Sequence, residues 1–360
     1  MKVHVVRPRE LSPDDLAAWA RVKQSAPVYQ SPFYSHQFTR AVGEARDDAR
    51  VAVIEAEGQI VGFLPFHRTA RGVGKPIGGP INDYHGPILL PDVEISPQAL
   101  LAGAGLTAYD YNHLPTSFTA FAKNAYARST SPQMDLSEGY EAFLETRTSK
   151  WKKAQREIRR RRRLTEAEHG PVSFEFHDAA DETYAQHTDM KNQLYRKIGV
   201  RSVLDVGWVQ ATLDTIRKTQ TPEFAGMLTT YRAGERLIAS HFGMRAGGVW
   251  HYWFPSYDLS FQALGPGIAM LNEAALQATD AGIRLIDFGR GDASYKLQFS
   301  NAQCELCEGS IARSGSVPSL LRAGQRSVLK ATQTIPLGRY ESYPRRALAR
   351  MISGVSLPEN

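Results

Sequence analysis

Two stretches of this chain, set 176 positions apart by Gly58 and Gly234, follow one plan. Residues 53–68 read VIEAEGQIVGFLPFHR, and residues 228–245 read LTTYRAGERLIASHFGMR. Each is a β-prone run, a turn at glycine and a second β-prone run, which is the pattern of a hairpin. Each carries a histidine late in its second strand, His67 in one and His241 in the other. The chain has 360 residues, more than one hydrophobic core usually serves. A hairpin that recurs near the half-length predicts two domains of similar fold. The boundaries follow composition: an N-terminal domain over 1–145, a basic helical linker over 146–170, a C-terminal domain over 171–312 and a basic tail over 313–360.

Around the hairpins the pattern alternates helix and strand. Ser12 can cap a helix over 12–24 that has Pro13 in its first turn and Asp14 and Asp15 at the positive end of its dipole. A second helix starts at Ser35, and Glu182–Lys197 is another. The second hairpin continues into the aromatic strand 247–259, a glycine turn, a helix and the strand RLIDF. Simple alternation places Trp250, Tyr252 and Phe254 on one face of the aromatic strand. The fold class is therefore α/β, with mixed sheets flanked by helices.

Net charge is +6, and the excess is clustered. Residues 147–163, RTSKWKKAQREIRRRRR, hold ten basic residues and one acid. With no glycine or proline they read as a helix, closed by Gly170-Pro171, with Lys152, Arg156, Arg159, Arg160 and Arg163 on one face. Such a segment suits polyanions: phosphates, nucleic acid or an anionic membrane surface. The tail adds Arg322-x-x-x-Arg326 and Arg346-x-x-x-Arg350, a spacing that can grip cyclic di-GMP by phosphate contact and guanine stacking. No apolar run approaches membrane-spanning length, and the first residues lack a signal-peptide core. The expected location is cytoplasmic, with peripheral contact at the inner face of a membrane. Cys304 and Cys307 cannot form a disulfide framework, lack a second pair for zinc and read as structural, so no metal is expected.

Two segments carry chemistry. Gln262-Ala-Leu-Gly265-Pro-Gly267 lies after a strand and opens a helix, where glycines admit a phosphate to backbone N–H groups and the helix dipole favours it. Pro266 removes one of those donors. Residues 288–299, FGRGDASYKLQF, leave a buried strand and at once present Arg290, Asp292, Tyr295 and Lys296.

The Q-x-x-G-x-G string in this setting resembles the pyrophosphate loop of the GCN5-related N-acetyltransferases (GNAT). The two-copy layout, the Arg-rich segment and Asp287-Phe-Gly-Arg-Gly-Asp292 followed by Tyr295-Lys296 resemble the CelD/BcsL-type acetyltransferases of cellulose and exopolysaccharide synthesis. Within that branch they are most similar to the holdfast-polysaccharide N-acetyltransferases, tandem proteins related to the Fem aminoacyltransferases. The segment Gly79–Tyr84 resembles the first-domain loop of the same branch, and the likeness covers roughly residues 30–310. It implies acetyl-CoA as co-substrate and an amino sugar of a polysaccharide, or of its lipid-linked precursor, as acceptor.

Acyl transfer to an amine needs a proton acceptor, a stabilised oxyanion and a proton for the departing thiolate. Asp292 is the first choice of base and His241 the second. Tyr252 or Tyr295 would protonate the thiolate. The Fem relatives use a lysine at the comparable motif, which implies a role for Lys296 at the carbonyl or the donor's phosphates. Gln262, Gly265, Gly267 and Arg290 are donor-binding candidates; Asp83 and Tyr84 are acceptor-side candidates. Each has a plainer reading: an Arg290–Asp292 ion pair, a core His241, an Asx turn at Asp83. Two other functions remain at this level. One is a Fem-like aminoacyl-tRNA-dependent transferase, which brings in nucleic acid. The other is a non-catalytic regulator of a polysaccharide synthase, responsive to cyclic di-GMP.

Overall fold

The computed structural model describes residues 1–313. The two tail R-x-x-x-R pairs lie outside the described residues. The first half contributes β1 (Lys2–Val6), β2 (Ala49–Ala56), β3 (Gln59–Arg68), β4 (Val73–Pro76), β5 (Ile88–Leu89), β6 (Ala108–Pro115) and β7 (Ala125–Asp135). The second contributes β8 (Val172–Glu175), β9 (Ala225–Ala233), β10 (Arg236–Ala246), β11 (Val249–Tyr257), β12 (Leu285–Asp287) and β13 (Ala302–Ala312). The helices are α1 (Pro13–Gln24), α2 (His36–Ala45), α3 (Pro97–Gly103), α4 (Thr119–Ala122), α5 (Gly139–Glu145), α6 (Ser149–His169), α7 (Asp181–Lys197), α8 (Gly207–Lys218), α9 (Pro266–Gln277) and α10 (Ser294–Phe299).

The strands form one mixed sheet in the order β1-β2-β3-β4-β6-β13-β7-β12-β11-β10-β9-β8, with β5 beside β3. Each half runs through three antiparallel neighbours to a parallel pair, β4 with β6 and β11 with β12. The strand that follows is exchanged between halves. β7 pairs with β12, β13 pairs with β6, and β7 and β13 pair with each other at the centre. Both are 11 residues long and begin at 125 and 302, 177 positions apart. The repeat first visible in the hairpins thus runs through the whole sheet. One face carries a single apolar cluster that includes Val51 and Phe63 from the first half and Leu228 and Phe242 from the second. The other face carries two, around Ile54 and Leu64 and around Tyr231 and Trp250.

Local chemistry sets the element ends. The Ser12 hydroxyl accepts from Asp15 N–H while the Asp15 carboxylate accepts from Ser12 N–H, a capping box that starts α1. α6 buries Trp151, Ile158 and Thr165 and exposes Lys152, Arg156, Arg159, Arg160 and Arg163, as their spacing predicts. Gly170, at φ 90°, ends it.

One expectation fails in β11. A bulge interrupts its pairing with β10, so Tyr252 and Trp253 together face Gly243. Simple alternation is lost there. Trp250 and Tyr252 stay in one cluster, while Phe254 passes to the opposite face beside Trp253. Cys304 and Cys307 also pack into clusters on opposite faces, so the two thiols point apart. Among the described residues no helix is long and apolar enough to cross a membrane.

Candidate active site

β11 stays paired with β10 as far as Tyr257, but its pairing with β12 stops at His251 and Asp287. Beyond that point the two strands part, and residues 252–257 present a backbone edge with no neighbouring strand among the described residues. A cavity of about 340 Å³ opens against this edge. Tyr252 and Tyr257 form its strand side, Gln262 and Gly265–Ile268 its mouth, and Tyr295 and Arg161 complete the wall.

The mouth is built by residues that turn the chain sharply. Asp258 accepts from Ser260 N–H at 2.9 Å and starts a 3-10 turn over Leu259–Leu264. Gly265 then takes the left-handed conformation, φ 62°. Pro266 fills the first position of α9, where an N–H has no helical partner in any case. The proline therefore costs the loop little, and Gly267 supplies the first donor. Arg161 stands over the turn: a Cβ on Gly265 would lie 2.8 Å from its guanidinium. Lys197 donates to the Gln262 side-chain oxygen from the other side. A helix N-terminus between two cations is a site for an anion.

Burial keeps two of the three cavity tyrosines neutral. Burial pushes the Tyr252 hydroxyl well above its ordinary value and Tyr295 up to about 12. Tyr252 is held by stacking on the imidazole of His241, ring centroids 4.0 Å apart. His241 itself is fully buried, and its Nε2 accepts from Trp253 N–H at 2.8 Å. Burial holds it well below its usual value. Its accepting lone pair is thus engaged by the bulge rather than open to a substrate.

A second cluster lies where the halves meet. His251 Nε2 donates to Asp83 at 2.9 Å, and its Nδ1 is 3.5 Å from Asp287. Burial alone would lower His251, but hydrogen bonds and charge from Asp287 and Asp83 outweigh it and raise it to about 9. Asp287 also accepts from Tyr84 (2.6 Å), Ser131 (2.7 Å), Gln133 (2.6 Å) and Gly289 N–H (2.8 Å). Tyr84 is therefore buried and committed to Asp287. Asp83 keeps 26 % of its side chain exposed, and His251 holds it below the usual carboxylate range against the effect of burial. The charges of Asp83, Arg290 and His251 all act on His113, which burial lowers and whose Nδ1 has no hydrogen-bond partner.

The 288–299 segment links the two clusters. Tyr295 faces the cavity, while Lys296 Nζ donates to the carbonyls of Gly289 (3.1 Å) and Arg290 (2.9 Å). Gly289, at φ 68°, packs so closely that a Cβ would lie 2.7 Å from the Asp83 carboxylate. Asp292 is exposed on the turn, and Arg290 lies 3.9 Å from Glu308. The structure thus gathers Gln262, Gly265, Gly267, Tyr252 and Tyr295 at the cavity and brings Asp83 and Tyr84 to the 287–296 turn. The sequence assigned no role to His251, His113 or Arg161, and Asp287 entered only as the first residue of the motif that carries the resemblance. His251 stood unmarked among aromatics, and Asp287 read as the end of a buried strand.

Residues 152–297 match the family described as "Acetyltransferase (GNAT) domain". This stretch, less than half of the chain, resembles a GNAT acetyltransferase domain. It contains the splayed strand pair, the glycine turn and all three cavity tyrosines. Asp83, Tyr84 and His113 come from outside it. Two solved structures share the wider fold. FemX aligns over 86 % of this chain and 96 % of its own, at 11 % identity and a TM-score of 0.55. The C-terminal domain of a protein assigned as lysylphosphatidylglycerol synthetase, from Agrobacterium fabrum, aligns over 80 % of this chain and 91 % of its own, at 11 % identity and a TM-score of 0.51. No curated protein matches the chain by sequence. The GNAT likeness implies an acyl-CoA co-substrate, and the residues at the cavity fit one: an anion site at the mouth, an apolar wall and neutral phenols within.

Proposed function

We propose that this protein moves an acetyl group from acetyl-CoA to the amine of an amino sugar, in an exopolysaccharide or its lipid-linked precursor. The cavity at the parting of β11 and β12, with the glycine turn at its mouth, carries the reading. The diphosphate of the donor would lie at Gly265–Gly267 between Arg161 and Lys197. The thioester would lie along the free edge of β11.

On this reading Asp83 holds the acceptor's ammonium, and neutral His113 takes its proton through Nδ1, a buried nitrogen without a hydrogen-bond partner among the described residues. The amine nitrogen bonds the thioester carbon, the C–S bond breaks, and Tyr295 gives its proton to the leaving sulfur. Lys296 spends two of its three N–H groups on the turn and keeps one for the developing oxyanion. The likeness to CelD/BcsL-type and holdfast enzymes supports the choice of an amino sugar.

A second reading has one observation in its favour. The exposed side of α6 presents Lys152, Lys153, Arg156, Arg159, Arg160 and Arg163, a surface suited to an aminoacyl-tRNA donor. Thermal melts with and without millimolar acetyl-CoA separate the two. A donor at about 100 times its dissociation constant adds about 2.7 kcal/mol, a shift of a few degrees. No shift, together with salt-sensitive tRNA binding, would put the second reading first.

A further inference from the structure

α7 ends in an unusual tip. Residues 196–201, Arg-Lys-Ile-Gly-Val-Arg, are all exposed and carry three basic groups and no acid. Ile198 is 66 % exposed and Val200 51 %. The tip is not loose chain. Gly199, at φ 66°, reverses the helix end, with Ile198 N–H donating to Leu194 (3.2 Å) and Val200 N–H to Tyr195 (3.0 Å). Beyond it Ser202 is buried, donating to Asn192 at 2.6 Å and accepting from Leu204 N–H at 3.1 Å. In helix endings of this kind the apolar residue after glycine usually packs back onto the helix. Val200 instead stays in water beside Ile198, ringed by Arg196, Lys197 and Arg201. The nearest acid contact is Asp189, 3.8 Å from Arg196 in an exposed pair of little strength. Lys197 reaches Gln262, so the tip stands at the rim of the donor cavity.

We infer that this tip docks the protein on an anionic lipid bilayer, with Ile198 and Val200 entering the headgroup boundary and Arg196 and Arg201 at the lipid phosphates, while Lys197 stays on Gln262 at the cavity mouth. Charge alone would serve RNA equally well. Two large apolar side chains displayed among those charges serve a bilayer, where they leave water while the cations stay at its surface. Docking here holds the cavity mouth at the membrane, where a lipid-linked acceptor is found, and so extends the function proposed above.

The experiment is co-sedimentation of the full chain with vesicles of phosphatidylglycerol and phosphatidylcholine, against phosphatidylcholine alone. The protein should sediment with the anionic vesicles only. Ile198→Asp with Val200→Asp should weaken that binding by about tenfold or more. Arg201→Glu should weaken it less, and Ile198→Leu with Val200→Leu should preserve it. Melting temperatures show that each variant folds. Undiminished vesicle binding by the double Asp variant would overturn the proposal. So would binding to tRNA but not to vesicles, lost on charge reversal along α6. The assay contains neither donor nor acceptor, so this inference and the acetyl-transfer reading fail independently.

Discussion

The imidazole of His251 and the carboxylate of Asp83 meet at 2.9 Å across 168 positions of sequence. One lies in the GNAT-like stretch and the other in the opposite half of the chain. With Asp287 on its far side, His251 is a buried cation between two carboxylates. The contact fixes how the loop at Asp83 sits on the second half of the chain, and it makes the joint sensitive to pH.

The sign of that sensitivity follows from the direction of the shift. His251 rises from an ordinary 6.5 to about 9 in the fold. Its contribution is fully present below 6.5, shrinks as pH rises and is gone above 9. The size is of the order of 3 kcal/mol. Burial pulls Lys23 and Lys191 down to about 8, which works in the opposite sense at higher pH. The clean window is therefore pH 6.5–8. Urea unfolding across it should show stability falling with pH in the parent protein, and His251→Gln should flatten that slope. An equal slope in both would mean that His251 is not the titrating group.

His67 and His241 predict a matched pair of effects. Each is buried and accepts a backbone N–H through Nε2, His67 from Gly78 at 3.0 Å and His241 from Trp253 at 2.8 Å. Replacing either by Phe leaves a buried donor unpaired, a loss of about 1–3 kcal/mol. His67→Phe should cost more, because Asp48, 3.0 Å from Nδ1, also loses one of its two partners and keeps only Arg46. Urea midpoints give the comparison. His241→Phe should leave the pH–rate profile unchanged; a lost limb in that profile would restore His241 as a base.

The repeat was legible because the two hairpins and their histidines are local patterns. The exchange of β7 and β13 was not, since a strand's sequence does not name its neighbour. Sequence order put Ala302–Ala312 with the second half; pairing puts it against β6 and β7. The glycine turn and Tyr295 were readable from context, whereas His251 has meaning only once Asp83 and Asp287 flank it. The β11 bulge was equally hidden, because alternation assumes a regular ladder. Asp83 was visible beside Tyr84, but not that Tyr84 would be spent on Asp287.

The two glycines of the donor turn separate a phosphate site from a plain turn. Gly265 is left-handed, so Gly265→Ala should cost about 1–2 kcal/mol of stability whatever the loop binds. Gly267 is helical, and a Cβ there meets only Tyr257 at 3.7 Å, an ordinary contact. Gly267→Ala should therefore melt at or above the parent temperature. If its N–H cradles the donor, the added methyl should still raise the Kd for acetyl-CoA several-fold, measured by calorimetry. A stable variant with unchanged affinity would leave the loop a structural turn.

Three substitutions at the turn test the proton path. Tyr295→Phe keeps the ring on the cavity wall and removes the proton offered to sulfur, so kcat should fall about 10²-fold or more with acetyl-CoA affinity intact. Asp83→Asn keeps a partner for His251 but loses the charge that draws an ammonium, so KM for the acceptor should rise as well as kcat fall. Asp292 is exposed, so Asp292→Asn should change either constant only a few-fold. Steady-state kinetics on one amine acceptor decides all three. A large loss at Asp292 with none at Asp83 would move the base to the 290–292 turn and make the Asp83–His251 contact purely a joint between the halves.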